Sequence, residues 1–183
     1  TDRLMPLLEL PSVKDPRIVL LSSFGHWLTP FKFNLDSQFN YWPNLFWTLI
    51  RYGMAKCVGI QFTKSLAKRH LKVLSVSVHP GLILDTNLFT HLTEWPIIGT
   101  LFWLNFQILQ YFFGVSIEEG CLSTIKCAAS DELDINKDNG KYYSTFGVET
   151  TPSFIARNKE YAAENWAWTV KNLEAKGFRI ENL

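Results

Sequence analysis

A tyrosine and a lysine one helical turn apart, Tyr52 and Lys56, form the pair in this chain best suited to proton chemistry. At i and i+4 on a helix they share a face. A phenol titrates near pH ~10, too high to trade protons at neutral pH, and a neighbouring ammonium favours its ionised form. Taken alone, the pair reads equally well as a surface tyrosine lying over a lysine stem. Its surroundings argue for more. Ser22-Ser23 ends an apolar run upstream and His79-Pro80-Gly81 ends another downstream. A parallel sheet opens its ligand crevice at such strand ends.

The elements that must position these residues are legible as patterns. Arg17 to Leu21 predicts a buried strand, and residues 24–46 predict a long loop without a period. From 46 to 70 the pattern is helical, with Ile50, Met54, Cys57, Val58, Phe62 and Leu66 on an apolar stripe. Lys64, Lys68, Arg69 and His70 crowd its end, where cations suit a helix C-terminus. Residues 72–79 predict a second strand, so strand, helix and strand make a βαβ crossover and a parallel sheet. A helix over 117–130, a short strand over 141–144 and a closing helix over 158–176, stopped at Gly177, follow. The stretch RLMPLLEL reads as the tail of a helix that begins before Thr1.

Composition narrows the function. The chain has 183 residues, 47% hydrophobic and 19% charged, as expected of one globular α/β domain. A net charge of +1 gives no electrostatic footprint for nucleic acid. Cys57, Cys121 and Cys127 lack paired spacing and read as reduced thiols, with no metal role. No signal peptide pattern is visible.

Three segments together, RIVLLSS (17–23), YGMAK (52–56) and VSVHPGLILDT (76–86), resemble the short-chain dehydrogenase/reductase family over nearly the whole chain. The 29-residue step from Ser23 to Tyr52, with Ser22-Ser23-Phe24-Gly25-His26 at its start, resembles the retinol dehydrogenase and protochlorophyllide reductase branch. FFGVS (112–116), KDNGKYY (137–143) and Trp166-Ala167-Trp168-Thr169-Val170 are similar to fungal membrane-associated oxidoreductases of lipid droplets and the vacuole.

The resemblance implies the C-terminal, catalytic half of a Rossmann-type doubly wound parallel sheet: three strands with flanking helices. It implies Ser23, Tyr52 and Lys56 as catalytic residues, with Ser22 the competing serine. Tyr52, Lys56, Pro80, Gly81, Ile83 and Thr86 would bind the cofactor, NADP or alternatively NAD. His79 is read as a structural strand-end residue. The Gly-rich pyrophosphate turn TGxxxGxG is absent from the sequence, so the chain by itself is expected to bind cofactor poorly and to be inactive. The competing reading is a catalytically dead, membrane-associated remnant or scaffold.

Residues 95–115, WPIIGTLFWLNFQILQYFFGV, contain no charge and are near the ~20 residues that span a bilayer. Asn105, Gln107 and Gln110 interrupt them, so the expectation is an apolar insertion lying in a membrane interface, with a substrate lid as the alternative. The Trp-rich stretch 40–50 could extend that surface. The expected partners are a lipophilic small-molecule substrate, a cytosol-facing membrane or lipid-droplet surface (endoplasmic reticulum or vacuole included), and a second copy in a homodimer.

Overall fold

Strand β1 (Arg17–Leu21) lies beside β2 (Leu74–Val78) in a computed structural model that describes residues 1–29, 31–37, 39–83 and 98–183. The two pair in parallel, Arg17 against Leu74 through Leu21 against Val78. A third strand, β3 (Tyr142–Ser144), joins β2 in parallel, with Ser77 opposite Tyr142. The order is β1-β2-β3-β4, because a two-residue strand β4 (Val148–Glu149) turns back antiparallel on β3. Among the described residues the three expected parallel strands are thus present, and β4 adds a fourth, antiparallel one that was not expected. The return runs through Phe146 and Gly147, both at positive φ, and two residues are too short to show a period.

Among the described residues, seven α-helical segments surround the sheet: α1 (Met5–Leu8), α2 (Asn44–Arg69), α3 (Ile98–Phe113), α4 (Ile117–Ala129), α5 (Ile135–Asp138), α6 (Phe154–Arg157) and α7 (Lys159–Ala175). Successive strand residues face opposite ways, and this divides the core. Leu74, Val76, Val78 and Tyr143 pack with Cys127 of α4. Tyr142 packs on the other side with Met54, Cys57 and Ile60 of α2. Helices on both faces of a mostly parallel sheet give a partial Rossmann-like α/β fold.

Helix ends are set locally. Ser116 and Glu119 close a reciprocal capping box on α4, with Ser116 Oγ accepting from the Glu119 N–H at 3.1 Å. Gly177, at φ +84, follows the end of α7, and the Phe178 N–H donates back to the Leu173 carbonyl. Between α2 and the C-terminal helices runs a buried polar tie. Gln61 Nε2 donates to the Ile155 carbonyl at 2.8 Å, and Gln61 Oε1 accepts from Asn165 Nδ2. The tie orients the helix that carries Tyr52 and Lys56.

Candidate active site

The two serines at the end of β1 have different surroundings. Ser22 is buried; its N–H donates to the Val78 carbonyl at 2.7 Å and its Oγ to the Lys56 carbonyl at 3.2 Å. It therefore stitches β1 to β2 and to α2. Ser23 is half-buried and caps a 3-10 turn over Phe24–Leu28, its Oγ accepting from the Gly25 N–H at 3.1 Å. That turn lies inside the stretch expected to be wholly irregular; five residues are too few to leave a periodic trace. Ser23 is thus the serine of the pair at the rim of the strand end.

Lys56 reaches the same place from α2. Its Nζ donates to the carbonyl of Leu21, the last residue of β1, at 3.2 Å. The ammonium also sits 5.6 Å from the centre of the Tyr52 ring, within cation–π reach. Tyr52 is 39% exposed, so its ring faces solvent on one side. On the other side it lies against Gly25. A Cβ built there would collide with Tyr52 Cε1, lie 2.7 Å from Tyr52 Cδ1 and stand 3.5 Å from Ser23 Oγ. The missing side chain of Gly25 lets the Tyr52 ring and the Ser23 hydroxyl converge. Sequence reasoning overlooked this role, although Gly25 stands inside the SS-x-x-H stretch it had singled out.

Gly25→Ala is therefore expected to displace the Tyr52 ring from the Ser23 hydroxyl. In a protein carrying this chain with a cofactor-binding half, it should lower kcat by at least about tenfold, since a small misplacement suffices for that. Far-UV circular dichroism should stay unchanged. Full activity in the variant would show that the ring is not held by this contact.

The turn after β2 forms the opposite rim. Gly81 has φ +104, and a Cβ there would stand 2.6 Å from Val115 Cγ2 and 3.1 Å from Thr145 Oγ1. Its left-handed conformation and its crowding both call for glycine. Ile83 packs on Gly120 of α4, where a Cβ would also stand 3.2 Å from the Pro80 carbonyl oxygen. Thr86 lies outside the described residues. These features fit the nicotinamide end of a dinucleotide. The Lys56 ammonium has three donors, so protons remain for ribose hydroxyls beside its bond to Leu21, and the glycine turn keeps the rim low.

Behind Tyr52 lies a buried polar layer. His26, 1% exposed, stacks edge-on against Tyr142 at 5.2 Å, and its Nδ1 accepts from the Ser153 N–H at 3.4 Å. Burial, and then the neighbouring His79, lower the His26 pKa to about 4. Burial, and then the Lys56 ammonium, lower that of His79 to about 4 as well. Burial, and then Tyr52, push the Tyr142 phenol above its ordinary range. His79 thus lies within the field of Lys56 as a neutral imidazole. The sequence marks His26 only as the end of the Ser22–His26 stretch and Tyr142 only as part of a short strand; their link to Tyr52 is not legible there, because it runs through three separate elements.

No family model matches the chain. Among curated proteins, retinol dehydrogenase 12 of Mus musculus is 30% identical over 153 residues, covering 82% of this chain and 43% of that protein. A short-chain dehydrogenase/reductase of Aspergillus calidoustus, drtF, is 28% identical over 136 residues, covering 69% of this chain and 40% of that protein. The chain is thus similar to members of the short-chain dehydrogenase/reductase family. It spans less than half the length of these curated family members. A crystal structure of an uncharacterised protein from Mycobacterium paratuberculosis shares the fold, with a TM-score of 0.53 and 22% identity over 86% of this chain and 50% of that one.

Proposed function

We propose that this chain is the catalytic part of an NAD(P)-dependent oxidoreductase that acts on a lipophilic alcohol or carbonyl at a membrane or lipid-droplet surface. The observation that carries the reading is the convergence of Ser23, Tyr52 and Lys56 at the end of β1. Tyr52 exchanges a proton with the substrate oxygen, and Ser23 holds that same oxygen. Lys56 keeps positive charge beside the Tyr52 ring and offers donors to the cofactor ribose. A nicotinamide cofactor, when bound, supplies or accepts the hydride. NADP is preferred over NAD on the resemblance to the retinol dehydrogenase branch. In a protein joining this chain to a pyrophosphate-binding half, NADPH consumption should be faster with a long-chain aldehyde than with a short one. Absence of turnover with either would contradict the reading.

The membrane part of the proposal rests on exposed apolar side chains. On α3, Leu101, Leu104, Ile108, Tyr111 and Phe112 recur at helical spacing and all are exposed. Trp42, 92% exposed, with Phe46 and Leu49 supplies a second apolar group at the start of α2. Among the described residues no helix is long and apolar enough to cross a membrane. An interfacial helix, with its apolar stripe in the headgroup boundary, accounts for both facts. Replacing Leu104, Ile108 and Phe112 with Ser should lower partitioning onto phospholipid vesicles by at least about tenfold in a flotation assay. Equal flotation of variant and parent would assign α3 to covering a substrate.

A further inference from the structure

The far end of α2 from the proposed active site carries a different chemistry. A cavity of about 430 Å³ opens between Lys64, Lys68 and Arg69 of α2 and Arg157 and Lys159 at the junction of α6 and α7. Twelve residues of helix separate Lys64 from Tyr52, a distance of about 18 Å at 1.5 Å per residue. The cavity is therefore not part of the proposed cofactor crevice.

Five cations line the cavity and no carboxylate does. Among the described residues, none of the ion pairs uses Lys64, Lys68, Arg157 or Lys159. Lys64 is half-buried, and its ammonium is held below the ordinary lysine value by burial and then by repulsion from Arg157, Lys68 and Lys159. Arg69 is oriented by its bond to the Ser65 carbonyl and by the Trp166 ring, 4.0 Å from its guanidinium carbon. Gly140, at φ +82, forms part of the wall, and a Cβ there would stand 3.2 Å from Ala67 Cβ. In a chain of net charge +1, this concentration of one sign costs stability unless an anion offsets it.

We propose that this cavity binds a phosphate polyanion: a pyrophosphate-type group or a multiply phosphorylated headgroup. The volume falls in the range of small-molecule sites. A monoatomic anion would neutralise one cation and leave the others repelling. Guanidinium forks match phosphate oxygens in pairs, and Lys64 and Lys68 add point charges.

Sodium pyrophosphate titrated calorimetrically into the 183-residue chain provides the test, with vesicles of phosphatidylcholine, with and without phosphatidylinositol bisphosphate, as the second arm. The expected result is saturable one-to-one binding at about 50 mM salt, weakened at least about tenfold by Lys68→Gln/Arg157→Gln. Without ligand, that double variant should melt no lower than the parent, because it removes repulsion. Lys159→Gln, at an exposed position, should weaken binding in the same direction and guards against a folding defect. Vesicle binding that needs the phosphoinositide and is lost in the double variant would identify a lipid headgroup; pyrophosphate binding alone would identify a soluble ligand. Absence of both, or binding equal in parent and variants, would overturn the proposal.

Discussion

Tyr52→Phe should lower kcat by about 10²- to 10⁴-fold in a protein that joins this chain to a cofactor-binding half. The substitution removes one oxygen and keeps the ring that packs against Gly25, so neither fold nor rim should move. Cofactor affinity, measured by quenching of protein fluorescence, should change less than about twofold, because the lost hydroxyl serves the substrate oxygen. Lys56→Met should behave differently. It removes the ammonium near the Tyr52 ring and the bond to the Leu21 carbonyl, so both rate and cofactor affinity should fall. A Tyr52→Phe protein with undiminished kcat would remove Tyr52 from the chemistry.

The second large effect is on stability in mild acid. His26 and His79 are held near pKa 4 in the folded chain, against about 6.5 when unfolded. Between those values the unfolded chain binds more protons, so stability falls as pH falls. The contribution is fully present above about pH 6.5 and is lost as the pH drops through about 4. At 1.36 kcal/mol per pKa unit, each histidine is worth on the order of 3 kcal/mol at most. That figure already contains the repulsion of His26 by His79 and of His79 by Lys56, which add to burial in setting the two values. The urea midpoint should therefore drop markedly between pH 7 and pH 4.5, by about 1 M or more. His26→Phe, which keeps an aromatic ring against Tyr142, should flatten that dependence. A midpoint constant across the range would show that the imidazoles are hydrated. Asp138 adds a separate acid limb. Burial raises its pKa, but hydrogen bonds to the Asp134 backbone, Lys141 and Tyr143 outweigh that and set it lower. Its contribution is lost only below the histidine window.

How much of this was legible in the sequence depends on the length of the signal. Helix α2 was read almost to its ends because its apolar stripe runs over several turns. Strands β1 and β2 were read because buried parallel strands are continuous branched runs bounded by breakers. Strand β4 and the 3-10 turn after Ser23 were not, since two and five residues carry no period. The distinction between Ser22 and Ser23 rested on resemblance alone. Its physical basis, the bond from Ser22 to the Lys56 carbonyl, joins positions 34 residues apart. The same holds for Gly25, whose need for a missing side chain appears only once Tyr52 is seen against it. The cationic cavity was half visible. Lys64, Lys68 and Arg69 were read as cations suited to a helix end, while Arg157 and Lys159 come from another helix pair. Local sequence cannot announce that such charges meet.

The central claim is that the Ser23 and Tyr52 hydroxyls act on one substrate oxygen while Ser22 serves the scaffold. A kinetic cycle of Ser22→Ala, Ser23→Ala, Tyr52→Phe and the double Ser23→Ala/Tyr52→Phe tests this most directly, in a protein that joins this chain to a cofactor-binding half. Groups acting as a unit are strongly non-additive. Ser22→Ala should lose about 1 kcal/mol of stability and little rate, since it breaks a scaffold hydrogen bond. Ser23→Ala and Tyr52→Phe should each cost at least about 10²-fold in kcat, and the double variant should be little slower than the worse single one. Fully multiplicative losses, or a larger rate loss from Ser22→Ala than from Ser23→Ala, would contradict the assignment.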